Sequence, residues 1–279
     1  MDRLEHHATA LDRIETRPDA AETRDLVRSR LGPDVERVFV LGGDGVVGDV
    51  AGALVDSAIP LGIIPTGTTN VVAAELGIPD NPARALRALS SSTRTRRFHI
   101  WSAGDRTLVL GASVGFDAEI MRNVRGHLKA RFGYLAVILA GLETLIRYEP
   151  PWLEIRGIDD EGAPVELTGT SLIATSTKRY GRRGVTVPVA DPEDDLLDVI
   201  VGNAASRLSV VGFWLHFLRG GGHVLVRGGT RYVRLRSLHA EARRPEQAEV
   251  QVNGDAVGRM ALDLVPTGHV CFLVPEVGG

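Results

Sequence analysis

Between residues 1 and 100, short apolar runs alternate with segments whose apolar residues recur every three or four positions. Ala20 to Leu31 carries Ala21, Leu26, Val27 and Leu31 at that spacing ahead of Gly32-Pro33, which predicts a helix. Arg37 to Leu41 reads as a buried strand. It runs into Gly42-Gly43-Asp44-Gly45 and then into a helical pattern from Val46 to Ala58. Leu61 to Pro65 is a second such strand, followed by the turn Thr66-Gly67-Thr68-Thr69 and a helix over Asn70 to Leu76. Strand, glycine turn and helix therefore repeat. This predicts parallel strands in a doubly wound sheet, with both glycine turns on one edge at the carboxyl ends of the strands.

After about Trp101 the spacing shortens. Thr107–Ala112, Trp152–Ile158, Val165–Thr175, Asp198–Val201, Tyr232–Leu238 and Val250–Asn253 read as strands of an antiparallel sheet or sandwich, interrupted by helices over Lys129–Arg147 and Ser206–Arg219. The expected organisation is an α/β unit over residues 1–100 followed by a β-rich unit over 101–279. The last strand, His269–Val274, is free to return to the first unit.

Composition narrows the class without changing this outline. The 279 residues are 44% hydrophobic and 24% charged, as in soluble globular proteins. The net charge of −3 provides no basic footprint for nucleic acid. The one cysteine, Cys271, excludes a disulfide within the chain and reads as a small buried residue. Met1 to Glu5 lacks the apolar core of a signal peptide. Tyr134–Leu142 and Leu208–Leu218 are shorter than the roughly 20 residues a membrane span needs, so a cytoplasmic location is expected. Three basic clusters, Arg94–Arg97, Arg122–Arg131 and Lys178–Arg183, read first as solvated surface; the second and third are also suited to phosphate or anionic headgroups. Phe213–Leu218, before Gly220-Gly221-Gly222, reads as core rather than lipid groove.

Gly43-Asp44-Gly45-Val46-Val47-Gly48 satisfies the G-x-G-x-x-G spelling, but the region about 20 residues on, Leu61 to Pro65, has no carboxylate to hold a ribose. Gly-Lys-Ser and Gly-Lys-Thr are absent, so this is not a P-loop. The first turn still offers amide donors at a helix N-terminus, a favourable place for phosphate. Asp44 is the odd residue there, because a carboxylate repels phosphate. It either caps the helix, or binds Mg²⁺ or takes a proton from an attacking hydroxyl.

Val40-Leu41-Gly42-Gly43-Asp44-Gly45 and Ile63-Ile64-Pro65-Thr66-Gly67-Thr68-Thr69-Asn70 resemble the paired nucleotide motifs of the diacylglycerol kinase catalytic domain, shared by bacterial lipid kinases and sphingosine kinases. Gly111 to Glu119, with Gly115-Phe116-Asp117, resembles the segment that opens that family's second domain. Asp191 to Val199 resembles its Asp-Gly-Leu-Leu-Asp-Val motif, and Asn253-Gly254-Asp255 stands where the family has Asp-Gly-Glu. The resemblance covers about Thr16 to the C-terminus. It implies a NAD kinase/diacylglycerol kinase-like parallel-sheet domain followed by a β-sandwich-like domain, and an ATP- and Mg²⁺-dependent lipid kinase.

Carried over, the resemblance implies that Gly42, Gly43, Asp44, Gly45, Val46, Val47, Gly48, Thr68 and Asn70 form the nucleotide site, with Thr16 near it. Asp255 is implied as general base on a lipid hydroxyl, with Asp44 essential. Asp194 and the backbone carbonyls of Asp191 and Leu196 are implied as ligands of a structural Mg²⁺. Partners would be nucleotide and lipid, with peripheral contact at the inner membrane surface and a homodimer both compatible.

The pattern also departs from the family. Val46 replaces a threonine, Asp49 a glutamate and Val71 an aspartate, and the acid pair becomes Asn253 and Asp255. Nothing before Glu15 resembles the family's opening strand and Asn-Pro loop, so the first strand–helix unit is expected to be absent. These changes keep open a pseudokinase that binds lipid or a protein partner without turnover. A NAD kinase-like enzyme is a further alternative, against which stands Val71 after Asn70.

Overall fold

A computed structural model describes residues 11–124, 134–180, 186–204, 206–218 and 229–276. Helix α1 (Ala20–Arg28) starts where Asp19 accepts a hydrogen bond from the Glu22 amide at 2.9 Å. Strand β1 (Val38–Gly42) leads into α2 (Asp44–Ala53), and β2 (Leu61–Pro65) into the short α3 (Val71–Glu75). Helix α4 (Pro82–Ser90) has Pro82 in its first turn and Asn81 as cap, accepting from the Arg84 amide at 3.0 Å. Strands β1 and β2 are parallel with Val40 opposite Ile63, as the repeated strand–turn–helix pattern requires.

The second half comprises β3 (Thr95–Ala103), β4 (Arg106–Leu108), β5 (Gly111–Val114), α5 (Phe116–Asn123), α6 (Tyr134–Arg147), β6 (Leu153–Asp159), β7 (Pro164–Gly169) and β8 (Ser171–Thr175). There follow β9 (Leu197–Gly202), α7 (Arg207–Leu218), β10 (Thr230–Ala242), β11 (Glu249–Val252), β12 (Asp255–Arg259) and β13 (Leu262–Leu273). Their pairings are antiparallel except where β13 meets β2, with Phe272 opposite Leu61. Strand β13 begins against β10, with Leu264 opposite Leu238, and ends beside β2. Among the described residues the strands form one connected sheet in the order β1-β2-β13-β10-β9-β8-β5-β11-β12, with β3, β4, β6 and β7 branching from it.

Three apolar clusters explain the sequence patterns. One lies under the parallel strands, where Val40, Ile63 and Phe272 pack with Val50, Leu54 and Leu89. A second fills the sandwich with Leu172, Ala174, Val199, Val201, Leu238 and Leu264. The alternate residues Ile173 and Ile200 face a third cluster under α7, with Trp214 and Phe217. Strands β8 and β9 are thus covered on both faces, which is why they read as unbroken apolar runs. Phe213–Leu218 is accordingly core at Trp214 and Phe217, while Leu215 is exposed.

Several expectations needed correction. The single strand expected over Thr107–Ala112 is broken at Val109-Leu110, whose amides turn to a side chain instead of a sheet partner. Val165–Thr175 is two strands that separate at Thr170, where β7 pairs with β6 and β8 with β9. Arg94 and Arg97 are exposed as expected, but the Arg94–Arg97 segment is ordered rather than a loose surface run. It opens β3, where Thr95 to Arg97 pair with Cys271 to Leu273 and Arg96 binds Glu193. Residues 129–133 of the expected helix, Arg125 to Arg131 of one basic cluster, Arg182-Arg183 of another and Gly220 to Gly222 lie outside the described residues.

Candidate functional site

Strand β1 delivers Gly42 and Gly43 to the start of α2. Gly43 caps that helix in an extended conformation and has no side chain to accept its first amides. The Val47 amide reaches the Gly43 carbonyl at 3.0 Å, so the amides ahead of it remain without an intrahelical acceptor. An open helix N-terminus with glycine on both sides of Asp44 fits a phosphate group. Val46 packs over Gly42, where an added Cβ would lie 2.9 Å from the valine Cβ.

The second turn comes so close to the first that Gly67 leaves no room for a side chain. A Cβ on Gly67 would lie 2.6 Å from the Gly43 Cα, and the Thr66 amide donates to the Gly42 carbonyl at 3.1 Å. Asn70 holds this turn in the left-handed conformation, with φ of 48°. Its Oδ1 accepts from the Gly67 amide at 2.9 Å, and its Nδ2 donates to the Gly67 carbonyl at 2.9 Å and to Asp80 at 3.2 Å. Thr68 stands partly exposed on the same turn, whereas Thr16 lies exposed ahead of α1. Among the described residues no hydrogen bond joins Thr16 to either glycine turn.

Asp44 does not cap its own helix. Its carboxylate crosses to the second turn and accepts from the Val72 amide at 3.0 Å, the Val71 amide at 3.1 Å and the Thr69 hydroxyl at 3.1 Å. The N-terminus of α3 is closed by this carboxylate while that of α2 stays open. Asp44 is 7% exposed; burial pushes its carboxyl above the ordinary range, opposed by those donors and reinforced by the charge of Asp255.

Asp255 arrives from the other half of the molecule. Asn253 (φ 52°) and Gly254 (φ 87°) form the two-residue turn between β11 and β12, a pairing suited to left-handed backbone at both positions. The turn places the exposed Asp255 against α2, so close that a Cβ on Gly45 would collide with its Oδ2. Asp44 and Asp255 therefore flank the same open helix end. Asp49, one turn further along α2, has its carboxyl raised by burial and moderated by Arg106, 4.0 Å away.

Asn253 has a different task. Its Oδ1 accepts from the amides of Val109 and Leu110 at 3.1 and 3.0 Å, and its Nδ2 donates to the Thr107 carbonyl at 2.6 Å. A carboxylate could make the first two bonds but would face the Thr107 carbonyl with no proton to offer. Asn253→Asp is expected to destabilise the chain by about 1–3 kcal/mol, read as an earlier midpoint in urea with an unchanged slope.

A half-buried carboxyl lies beside this turn. Asp117 begins α5 and accepts from Ser113 Oγ at 2.8 Å, from the Tyr180 hydroxyl and, at 3.4 Å, from Gln251 Nε2. Burial raises this carboxyl, opposed by the three donors. Gln251 belongs to β11, two residues before Asn253, so this cluster adjoins the Asp255 turn. Asp117 belongs to the Gly115-Phe116-Asp117 motif, whereas Tyr180 and Gln251 had no sequence signal of their own.

The remaining expected residues sit elsewhere. Asp191, Asp194 and Leu196 occupy the turn before β9, docked on β3 through the His99 amide to the Pro192 carbonyl at 2.8 Å. Asp191 Oδ1 accepts from the Glu193 amide and Asp194 Oδ1 from the Leu196 amide, each at 3.1 Å. Asp194 Oδ2 is paired with Arg234. No group of three or more His, Cys, Asp or Glu side chains poised to hold a metal occurs among the described residues.

Comparison with known proteins agrees with this architecture. Residues 2–102 match the diacylglycerol kinase catalytic domain, and residues 111–269 the YegS C-terminal NAD kinase beta sandwich-like domain. The first match reaches back to residue 2, ahead of Glu15. The chain is 27% identical to a diacylglycerol kinase of Mycobacterium tuberculosis over 78% of this chain and 71% of that one. It is 32% identical to a Chromohalobacter salexigens protein described as "Probable lipid kinase YegS-like" over 63% of this chain. It spans 57% of that relative's length and 39% of another it matches. A crystal structure of a diacylglycerol kinase from Bacillus anthracis superposes with a TM-score of 0.66 at 19% identity, covering 94% of this chain and 84% of that one.

Proposed function

This chain belongs to the diacylglycerol kinase catalytic-domain family with a YegS-type C-terminal domain, and on that premise we propose that it transfers the γ-phosphoryl group of ATP to a lipid hydroxyl. The observation that carries the reading is the convergence, from opposite halves of the chain, of the open amide end of α2 and the exposed carboxylate of Asp255. The glycine turns, Gly42 to Gly48 with Thr68, hold the nucleotide phosphates. Asp255 takes the proton of the attacking hydroxyl. Asp44, already accepting three hydrogen bonds, keeps the two turns in register. Mg²⁺ carried with the nucleotide would supply the charge neutralisation that phosphoryl transfer requires. Val46 contributes only its backbone amide, which predicts modest nucleotide affinity.

Helix α6 supports an amphiphilic acceptor and a peripheral membrane contact. It turns Ala136, Ala140 and Thr144 inward and leaves Leu135, Ile138, Leu139, Leu142 and Ile146 exposed. A helix that serves only the core does the reverse. No described helix is long and apolar enough to cross a membrane. The NAD kinase-like reading is less favoured, since Asn70 is bonded within its own turn and to Asp80.

The test combines calorimetry of Mg²⁺·ATP binding with transfer of radiolabel from ATP to diacylglycerol in mixed micelles. Binding together with labelled lipid is the expected result. Binding without label across a panel of lipid hydroxyls would identify a nucleotide-binding pseudokinase. No binding heat from a folded chain would overturn the proposal.

A further inference from the structure

The acidic turn from Asp191 to Asp198 is where family resemblance puts a structural Mg²⁺, yet this chain fills the position with its own side chains. Strand β10 runs antiparallel to β9, with Tyr232 opposite Ile200 and Arg234 opposite Asp198. Tyr232 and Arg234 are two residues apart on one strand and so project from the same face. From that face Arg234 pairs with Asp194 Oδ2, and the Tyr232 hydroxyl donates to Asp198 Oδ1. Arg236 pairs with Asp195 in the same manner.

The carboxylate that a divalent ion would need from Asp194 is thereby engaged at both oxygens. Asp194 gives Oδ2 to the guanidinium and Oδ1 to the Leu196 amide. Asp191 gives its carbonyl to the Asp194 amide at 3.2 Å and Oδ1 to the Glu193 amide. Among the buried side-chain atoms of the described residues, Asp198 Oδ2 lacks a hydrogen bond, and so does the donor Arg234 Nε on the residue facing it. Mg²⁺ demands a near-octahedral oxygen shell and sheds water reluctantly. With the Asp194 carboxylate already holding a guanidinium, the turn keeps from such an ion the side chain that would be its central ligand.

We propose that Arg234 stands in place of a divalent cation at this turn, so that the fold is independent of Mg²⁺ there. The positive charge is built into β10, and through Asp194 it secures the turn that docks on β3 by Arg96–Glu193 at 2.7 Å. The replacement concerns the turn alone and holds whether or not the chain is a kinase.

The experiment is thermal unfolding of the full chain, without nucleotide, in EDTA and in a MgCl₂ titration. Wild type is expected to melt at one temperature throughout. A saturable rise of roughly 5 °C or more, the size a site occupied well above its dissociation constant would produce, overturns the proposal. Arg234→Gln is expected to melt earlier and to recover part of the loss with Mg²⁺, a recovery that Asp194→Asn in the same chain abolishes. A folded Arg234→Gln chain that ignores Mg²⁺ would show that the arginine does not stand in for the ion. Should that variant not fold, Arg234→Lys decides: it retains the charge and is expected to be as insensitive to Mg²⁺ as wild type, and a response to the ion overturns the proposal.

Discussion

Asp255→Asn is expected to lower phosphoryl transfer to lipid by about 10²–10⁴-fold, the range lost when a positioned general base is removed. The substitution is nearly isosteric at an exposed position that opens β12, so the melting temperature should not move. Nucleotide binding should survive and even tighten slightly, because a negative charge beside the open end of α2 is removed. That division, with turnover lost and binding kept, distinguishes a proton acceptor from a structural residue. If Asp255→Asn retained the wild-type rate, the proton would have to leave by another group, and the raised carboxyl of Asp117 would be the next to replace.

Asp44→Ala should have the opposite profile. It strips the acceptor from the Val71 and Val72 amides and the Thr69 hydroxyl at once. The two buried amides left unpaired cost about 1–3 kcal/mol each, so a total loss of about 2–6 kcal/mol is expected in chemical denaturation. Against a typical stability of about 5–15 kcal/mol this brings the fold near its limit. ATP binding should disappear with it, since the second turn loses its anchor on the first. Loss of binding with undiminished stability would mean that Asp44 meets the nucleotide or its ion directly instead of holding the two turns together.

Strand and helix order in the first half was legible because backbone pattern and glycine spacing act locally. The glycine turns, Asp44 and Asp255 were found by their motifs, but what Asp44 does was not. Its partners lie beyond residue 68, and a carboxylate capping the neighbouring helix is spelled like one capping its own. Asn253 looked like a lost acid, because the demand for an amide proton comes from the Thr107 carbonyl, brought near only by the β11–β12 turn. Strand β3 was hidden by its arginines: Arg96 and Arg97 read as solvated charge, while Phe98 and Ile100 enter one apolar cluster and Trp101 another. Helix α4 did have a signal, Asn81-Pro82, a cap followed by proline in the first turn. The guanidinium on Asp194 comes from a strand far along the chain, and no spacing rule reaches that distance.

Strand β13 also constrains how the molecule is made. On the edge of β2 away from β1, Leu61 pairs with Phe272, so during synthesis that edge stays unpaired while nearly the whole remaining chain emerges. The unbroken apolar sequence of β2 is then exposed as a template for any passing strand. The ribosome cannot release a finished N-terminal half for independent folding, and a premature stop before residue 262 would leave that half without its closing strand. Truncated products should therefore accumulate with chaperones or as aggregates rather than as a small, stable nucleotide-binding fragment.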